Sequence, residues 1–296
     1  MKTQHLIGVC ASLMAFLAYS LGDGLRKGFS IAGYNPFYIM LWSSLLMLVA
    51  LVGFSVSRRR FKQDFTVHNP KLLALRSFSN VALGYFAILS FKLLPMTDAY
   101  ILIMTAPIFG ILYFALFFHE KLHAYKIYAV VLGFAGALLV IKPGFGEWSM
   151  AYFAAIMVAV IFVINNALSK KLVHVESKMA LIVYPNIANL LVGLIALRGH
   201  AFTTPGADLP LFTLAAVFSL IGAIGMVLAL KRIEASQIGL YHYIQVFYGV
   251  VIGFFLFAEV PDIYALGGLV TIFLSGVVIY KGSKRRHDLE YSEINL

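Results

Sequence analysis

The chain has 296 residues, of which 61% are apolar and 12% are charged, and its net charge at pH 7 is +10. The charged share is about half of that in soluble proteins, which excludes an ordinary soluble domain and indicates a membrane protein. The basic residues lie in short links between apolar segments, so the positive charge does not indicate a nucleic-acid-binding surface. With one cysteine, Cys10, an internal disulfide is excluded.

Ten apolar segments are long enough to cross a bilayer as helices, since a span needs about 17 to 25 residues. They cover residues 6–23, 36–56, 72–92, 98–118, 125–141, 150–169, 179–197, 210–230, 236–257 and 263–281. The first segment could be mistaken for a signal peptide, but it matches the sixth, so we expect it to be retained. We therefore predict an all-α membrane protein with ten transmembrane helices.

The basic residues in the links are distributed unequally between the two predicted faces of the membrane. The face that carries both termini has 17 lysines and arginines, and the other has 5, including Arg26 and Lys27. Arg76, just inside the third segment, is expected to extend toward the basic face. By the positive-inside rule, both termini are predicted to be cytoplasmic, in a cell inner membrane.

Two stretches about half a chain apart resemble each other. At a constant shift of 139 residues, Lys92 aligns with Lys231, Thr97 with Ser236, Gly110 with Gly249, and Glu120 with Glu259. Five helices per half is an odd number, so the second half must enter the membrane from the opposite face. We predict inverted repeats over residues 1–143 and 144–281, followed by a cytoplasmic tail over 282–296.

Small residues recur at helical spacing in the fifth and tenth predicted helices. The rows are Ala129, Gly133 and Ala137 in one helix, and Gly267, Thr271 and Ser275 in the other. Such rows allow close approach of two helices in lipid.

Polar side chains also recur inside the predicted helices, where they are energetically costly and often functional. Each could serve only as a hydrogen bond between helices, but the set favours a wet central cavity for a partly polar solute. The predicted substrate-binding residues are Tyr19, Asn80, Asn165, Asn166, Tyr241, His242, Gln245 and Tyr248. We identify no carboxylate near the middle of a predicted span, so a facilitator and an exchanger both fit.

Prolines and acidic residues mark interruptions and ends of the predicted helices. Pro107 and Pro185 each remove a helical hydrogen bond, which frees the carbonyls of Ile103 and Leu181 and produces either a hinge or a simple kink. Capping of the fourth helix would explain Asp98 without a further role. We assign gating or structural roles to Asp98, Pro107, Glu120 and Glu259.

One motif supports an alternative function. His119-Glu120-Lys121-Leu122-His123 matches the H-E-x-x-H signature of zinc proteases, so a membrane-embedded metalloprotease is the alternative. The repeat favours another reading, because the equivalent segment keeps only the glutamate, as Glu259. No phosphate-binding G-x-x-x-x-G-K-[ST] motif occurs, so ATP is not expected as the direct energy source; we predict no cofactor, no metal and no enzymatic activity.

The chain resembles the drug/metabolite transporter superfamily, EamA type, over nearly its whole length as two tandem units. The resemblance rests on Leu94-Pro95-Met96-Thr97-Asp98-Ala99, Glu120-Lys121-Leu122, Gly133-Phe134-Ala135-Gly136-Ala137 and Phe257-Ala258-Glu259-Val260-Pro261-Asp262. His119 and Ala258 replace the glycine that usually precedes the glutamate at these corners in the family. Residues 241–262 are also similar to bacterial members near the S-adenosylmethionine transporters.

This resemblance implies ten helices, alternating access and a central cavity between the halves. It also implies a small organic solute, such as an amino acid, a nucleotide-derived metabolite or a drug. We therefore predict a secondary carrier whose partners are a small-molecule substrate and the lipid bilayer, with no nucleic acid; the sequence leaves the oligomeric state open.

Overall fold

The computed structural model describes residues 2–59, 61–118, 124–141, 149–198, 204–233, 238 and 241–294. The helices are α1 (Lys2–Ile31), α2 (Pro36–Ser57), α3 (Phe61–Phe65), α4 (Pro70–Leu93), α5 (Met96–Ile103), α6 (Ala106–Phe118), α7 (Ala124–Ile141), α8 (Met150–Leu172), α9 (Lys178–Leu197), α10 (Leu209–Leu230), α11 (Ile244–Phe257) and α12 (Ile263–Ile294). Within these ranges, nine helical segments are long and apolar enough to cross a membrane, and α11 is a shorter apolar helix. The prediction of an all-α membrane protein with ten helices is confirmed.

Local sequence signals set the starts of several helices. Asn35 and Asn69 accept hydrogen bonds from the first-turn amides of α2 and α4, at 2.9 and 3.1 Å, and a proline follows each of them. Ser149 and Ser177 cap α8 and α9 in the same way. A side-chain oxygen at this position satisfies an amide that has no partner within the helix, and proline is well suited to the first helical position.

The first helix is longer than predicted. It ends at Ile31 instead of residue 23, so Arg26 and Lys27 are helical residues and do not belong to a link. Lys27 is only 3% exposed, because its ammonium group is paired with Glu259 inside the protein. A hydropathy reading places both cations in a link, whereas the ion-pair partner of Lys27 lies far away in sequence.

The predicted fourth span is a broken helix. Met104 and Thr105 separate α5 from α6, and the Thr105 amide bonds to the carbonyl of Leu102 at 3.1 Å, three residues back. In the second half, a turn at Tyr243 lies 139 residues after Met104 and directly precedes α11. Pro107 has no proline equivalent there, because the matching residue is Val246. The break therefore belongs to both repeats and does not depend on proline alone.

The two halves pack on each other through equivalent helix pairs. The first helix of the first repeat, α1, packs on the third helix of the second repeat, α10; correspondingly, α8 packs on α4. The second helices, α2 and α9, contact each other, as do the fifth helices, α7 and α12. A contact surface between the repeats thus runs through the molecule, and a space enclosed by these helices is bounded by both repeats.

The rows of small residues lie where α7 meets α12. The Ser275 hydroxyl donates to the carbonyl of Ala129 at 2.7 Å. Gly136 and Gly268 permit the closest approach, since a β-carbon on Gly268 would lie 2.8 Å from the Gly136 carbonyl oxygen. The expected close approach is present, and it joins the two predicted rows directly.

Candidate functional site

A cavity of about 290 Å³ lies between the two repeats. Its walls come from α1, α2, α4 and α5 of the first half and from α8 to α11, with His242, of the second. Its polar and charged lining residues are Tyr19, Asp23, Arg26, Ser43, Ser44, Arg76, Asn80, Tyr100, Asn165, Asn166, Ser169, Asn189, His242 and Gln245. A mostly apolar cavity with a few polar groups is the usual form of a small-molecule site.

Six of the eight predicted binding residues line this cavity. They are Tyr19, Asn80, Asn165, Asn166, His242 and Gln245. Tyr241 and Tyr248 lie outside the lining and pack around a buried apolar cluster that includes Phe16 and Ile233. Tyr241 precedes the turn at Tyr243, whereas Gln245 and Tyr248 both follow it on α11.

Arg76, which is expected to extend toward the basic face, also lines the cavity. Its Nε donates to the hydroxyl of Ser169 at 2.7 Å, and its Nη1 donates to the carbonyl of Leu181 at 2.7 Å. Leu181 is the residue whose carbonyl Pro185 leaves without a helical partner, and the arginine satisfies it. Its place in the cavity lining was not predicted, because its two anchors lie about a hundred residues away in sequence.

A carboxylate also lines the cavity, although none was expected well inside a span. Asp23 forms an ion pair with Arg26 at 2.9 Å and accepts a hydrogen bond from the Tyr100 hydroxyl at 3.0 Å. Arg26 also donates to Ser219 of α10. Asp23 was not among the predicted binding residues, because the predicted first helix ended at this residue, eight residues before its actual end.

Arg76 and the Asp23–Arg26 ion pair lie toward opposite ends of the cavity. Tyr100, the partner of Asp23, packs its ring against Phe91 with ring centres 5.0 Å apart. Phe91 follows Arg76 by fifteen residues on α4, which corresponds to about 22 Å along a helix axis. The charged lining residues are Asp23, Arg26 and Arg76, so the cavity carries an excess of positive charge.

His242 lies between two aromatic rings. Its imidazole stacks on Phe16 of α1 and Phe162 of α8, with ring centres 4.9 and 4.6 Å away. Because both faces of the imidazole are covered, only its edge is available to a solute. Near it, the Gln245 amide donates to the Ser20 hydroxyl at 3.4 Å, so this part of the wall connects both repeats.

Glu259 binds the first repeat from the end of α11. One carboxylate oxygen accepts from the Met96 amide at 2.8 Å, and the other pairs with Lys27. Lys27 also donates to the Leu94 carbonyl at 2.8 Å. Lys27 adjoins Arg26 in sequence, so this contact lies beside the Asp23–Arg26 end of the cavity.

The backbone conformation of Ala258, the residue before Glu259, explains why glycine is usual at this position in the family. Ala258 ends α11 in the left-handed conformation, with φ of 54°. This conformation favours glycine, because the β-carbon of other residues crowds the backbone. Alanine at this position is therefore strained but retains the corner geometry.

The other predicted gating or structural residues have different locations. Asp98 lies in the first turn of α5, which begins at Met96. Its negative charge there interacts favourably with the helix dipole. The N-cap residue is Pro95, so Asp98 does not occupy the capping position. Pro107 lies in the first turn of α6, just after the break. Glu120, with His119 and His123 of the zinc-protease motif, lies outside the described residues.

Ten apolar helices in two repeats, around a cavity with polar and charged lining groups, define a multi-pass membrane protein of the transporter class. The chain belongs to the EamA-like transporter family, whose profile matches residues 6–142 and 149–281. This confirms the resemblance identified from the sequence motifs and places the protein in a family of transporters.

Relatives in the family have several substrates. The chain is 24% identical to the S-adenosylmethionine uptake transporter of Rickettsia conorii, over 96% of this chain and 97% of that protein. It is 26% identical to the riboflavin transporter of Rhizobium johnstonii, over 65% and 64% of the two chains. It is 24% identical to a pseudopaline exporter of Pseudomonas aeruginosa, over 64% and 68%.

A solved structure has the same fold. It superposes with a TM-score of 0.65 at 17% identity, covering 93% of this chain and 98% of that one.

Proposed function

We propose that the protein is a secondary carrier that moves a small organic metabolite across the membrane by alternating access. The observation that carries the proposal is the cavity between the two repeats, whose polar and charged lining comes from both halves. Relative movement of the halves would expose such a site to each face of the membrane in turn.

In this carrier, the predicted cavity residues divide into two kinds. The amides of Asn80, Asn165 and Gln245 orient the solute by hydrogen bonds, and the edge of His242 with the Tyr19 ring contacts its less polar part. Asn166 completes the polar wall. Tyr241 and Tyr248 support this wall from behind, through the cluster around Phe16.

The closing element of the carrier is the contact of Glu259 with Lys27 and Met96. It ties the end of α11 to the start of α5 beside one end of the cavity. The breaks at Met104–Thr105 and Tyr243 supply the hinges that let this corner open. Asp98 and Pro107 flank the first hinge, and Glu120 has the equivalent role to Glu259 in the first repeat.

The solute class is an amino acid or a nucleotide-derived metabolite such as S-adenosylmethionine. Support comes from the Rickettsia relatives, which match almost the whole chain. We place the carrier in the cell inner membrane with both termini in the cytoplasm, because the links on that side contain most of the basic residues. The repeats extend over residues 1–143 and 144–281, with a tail over 282–296.

Transport by the purified protein in lipid vesicles tests this function. We expect uptake of radiolabelled S-adenosylmethionine or of an amino acid, with inhibition by excess unlabelled solute. Asn80→Ala and Gln245→Ala should each lower uptake about 2- to 10-fold, since each removes one hydrogen bond. Gln63→Ala, an exposed glutamine on α3, is the matched control and should transport normally.

Two results would contradict the proposal. Failure of the wild-type protein to move any solute of these classes, in either direction, would remove the carrier function. Normal uptake by both cavity variants would remove Asn80 and Gln245 from the site.

A further inference from the structure

We propose that Arg76 binds a carboxylate of the transported solute, and that Asn189 and Ser43 bind a hydrogen-bond donor farther along the same molecule. This inference rests on the proposed carrier function and specifies its solute class. The solute is an elongated acid, with its carboxylate at the Arg76 end of the cavity.

The guanidinium of Arg76 is held in place but incompletely used. An arginine has five N–H donors, and two of them here bind Ser169 and Leu181. The remaining donors belong to a side chain on the cavity wall. A fixed planar guanidinium with free donors matches the two oxygens of a carboxylate.

The charge of Arg76 also requires a partner. The ion pairs among the described residues are Asp23 with Arg26, Lys27 with Glu259, and His68 with Glu176, so Arg76 has no carboxylate partner within them. A cation within a membrane protein is costly without a counter-ion. Uncharged donors could satisfy Ser169 and Leu181 equally well, so the positive charge itself indicates an anionic ligand.

A second pair of groups lacks partners inside the same cavity. The side-chain oxygens of Asn189 and Ser43 are buried without a hydrogen bond in the described part of the chain, and both residues line the cavity. They lie on α9 and α2, which pack against each other. Buried polar atoms are nearly always bonded, so these oxygens indicate a donor supplied by a ligand.

The spacing of the two places defines the shape of the solute. Leu181, which binds Arg76, precedes Asn189 by eight residues on α9, a rise of about 12 Å along the helix. A solute that reaches both places has an acidic end and an amino, amide or hydroxyl group about 12 Å away. An amino acid joined to a nucleoside has this shape.

Binding to the purified wild-type protein tests the carboxylate contact. Dissociation constants are measured calorimetrically for two acids that join an amino acid to a nucleoside, S-adenosylmethionine and S-adenosylhomocysteine, and for the decarboxylated amine of each. We expect at least one acid to bind, and its amine to bind about 10- to 100-fold more weakly, as a charged hydrogen-bonded pair is lost. Equal binding of acid and amine, or no binding by any acid, overturns the inference.

Variants identify the residue responsible. Arg76→Gln should weaken binding of the acid about 10- to 100-fold and leave the amine unchanged, an asymmetry that a merely structural role would not produce. Arg76→Lys should recover part of the loss, because it restores the charge without the planar fork. Arg58→Gln, an exposed arginine at the end of α2, is the control and should bind like the wild type. If Arg76→Gln does not fold, the acid–amine comparison on the wild type decides.

A matched pair of variants tests the distal contact of the solute with Asn189 and Ser43. Asn189→Leu should weaken both acid and amine about 2- to 10-fold, because both keep the distal donor. Ser30→Ala removes a buried hydroxyl that also has no hydrogen bond among the described residues but lies outside the cavity lining, so it should have no effect. Equal binding by both variants and the wild type overturns the distal half of the inference.

Vesicle uptake separates this inference from the carrier function. Uptake without preference for acid over amine would leave the carrier in place and remove the Arg76 contact. Acid-selective binding without any uptake would keep the contact and remove the carrier.

Discussion

Lys27 in the first repeat and Glu259 in the second form an ion pair, and both also bind the turn between α4 and α5. Lys27 lies in addition over the ring of Phe257, 5.2 Å from its centre. The pair and its two backbone contacts therefore join three separate parts of the chain. Two complementary charges at one small contact make it a suitable place to hold the repeats together.

Glu259→Gln should lower the stability of the protein by about 3 to 5 kcal/mol, because it leaves the buried Lys27 ammonium without its counter-ion. Thermal unfolding in detergent measures the change. Lys27→Met in the Glu259→Gln background should recover part of the loss, since the unpaired charge is gone. Lys92→Gln, at the exposed end of α4, is the control; a Glu259→Gln protein as stable as this control would contradict a structural pair.

Ala258→Gly should raise stability by about 1 kcal/mol, because the left-handed backbone at this residue no longer crowds a β-carbon. The midpoint of thermal unfolding should rise accordingly. Ala135→Gly, at an exposed helical position on α7, is the matched substitution and should lower stability by about 1 kcal/mol. If both variants are less stable than the wild type, the strain at Ala258 is not significant.

Gly268→Ala should lower stability by about 1 to 3 kcal/mol, since the new methyl group would lie 2.5 Å from Val140 and 2.8 Å from the Gly136 carbonyl. Gly53→Ala on α2 meets no atom within 4 Å, and it should raise stability by about 0.5 to 1 kcal/mol. Unfolding midpoints compare the two. An unaffected Gly268→Ala protein would mean that α7 and α12 can separate freely.

The link between α1 and α2 should add a pH-dependent contribution to stability. The hydrogen bond that Tyr34 donates to Asp208, at 2.7 Å, raises the pKa of the Tyr34 phenol. A raised folded-state pKa means that this contribution is complete below the unfolded pKa of about 10 and is lost as the pH rises through the folded value.

Tyr34→Phe should therefore be less stable than the wild type near neutral pH and approach it in strongly alkaline solution. Unfolding midpoints across that range give the difference curve. Asp208→Asn removes the charged acceptor and should reduce the same pH-dependent difference. If the difference in unfolding midpoint between the wild type and Tyr34→Phe does not change with pH, this contribution is excluded.

The membrane class, the ten helices, the repeat and the family could all be predicted from the sequence, since they depend on the type of residues and their spacing along the chain. Apolar length alone specifies a span, and the shift between Gly110 and Gly249 reveals the repeat without any contact. The same information placed Asn80 and Asn165 in helices of the right kind, but did not place either in a cavity.

The contacts between polar groups could not be predicted in this way, because they depend on how the helices pack. Arg76 was read as a residue at the membrane surface because its anchors, Ser169 and Leu181, lie in the other repeat. Asp23 was read as the end of a span and Lys27 as part of a link, because their contacts with Tyr100 and Glu259 join parts of the chain that are far apart in sequence. Hydropathy sums residues along the chain, whereas the energy of a buried charge depends on a partner that only the packed helices bring near.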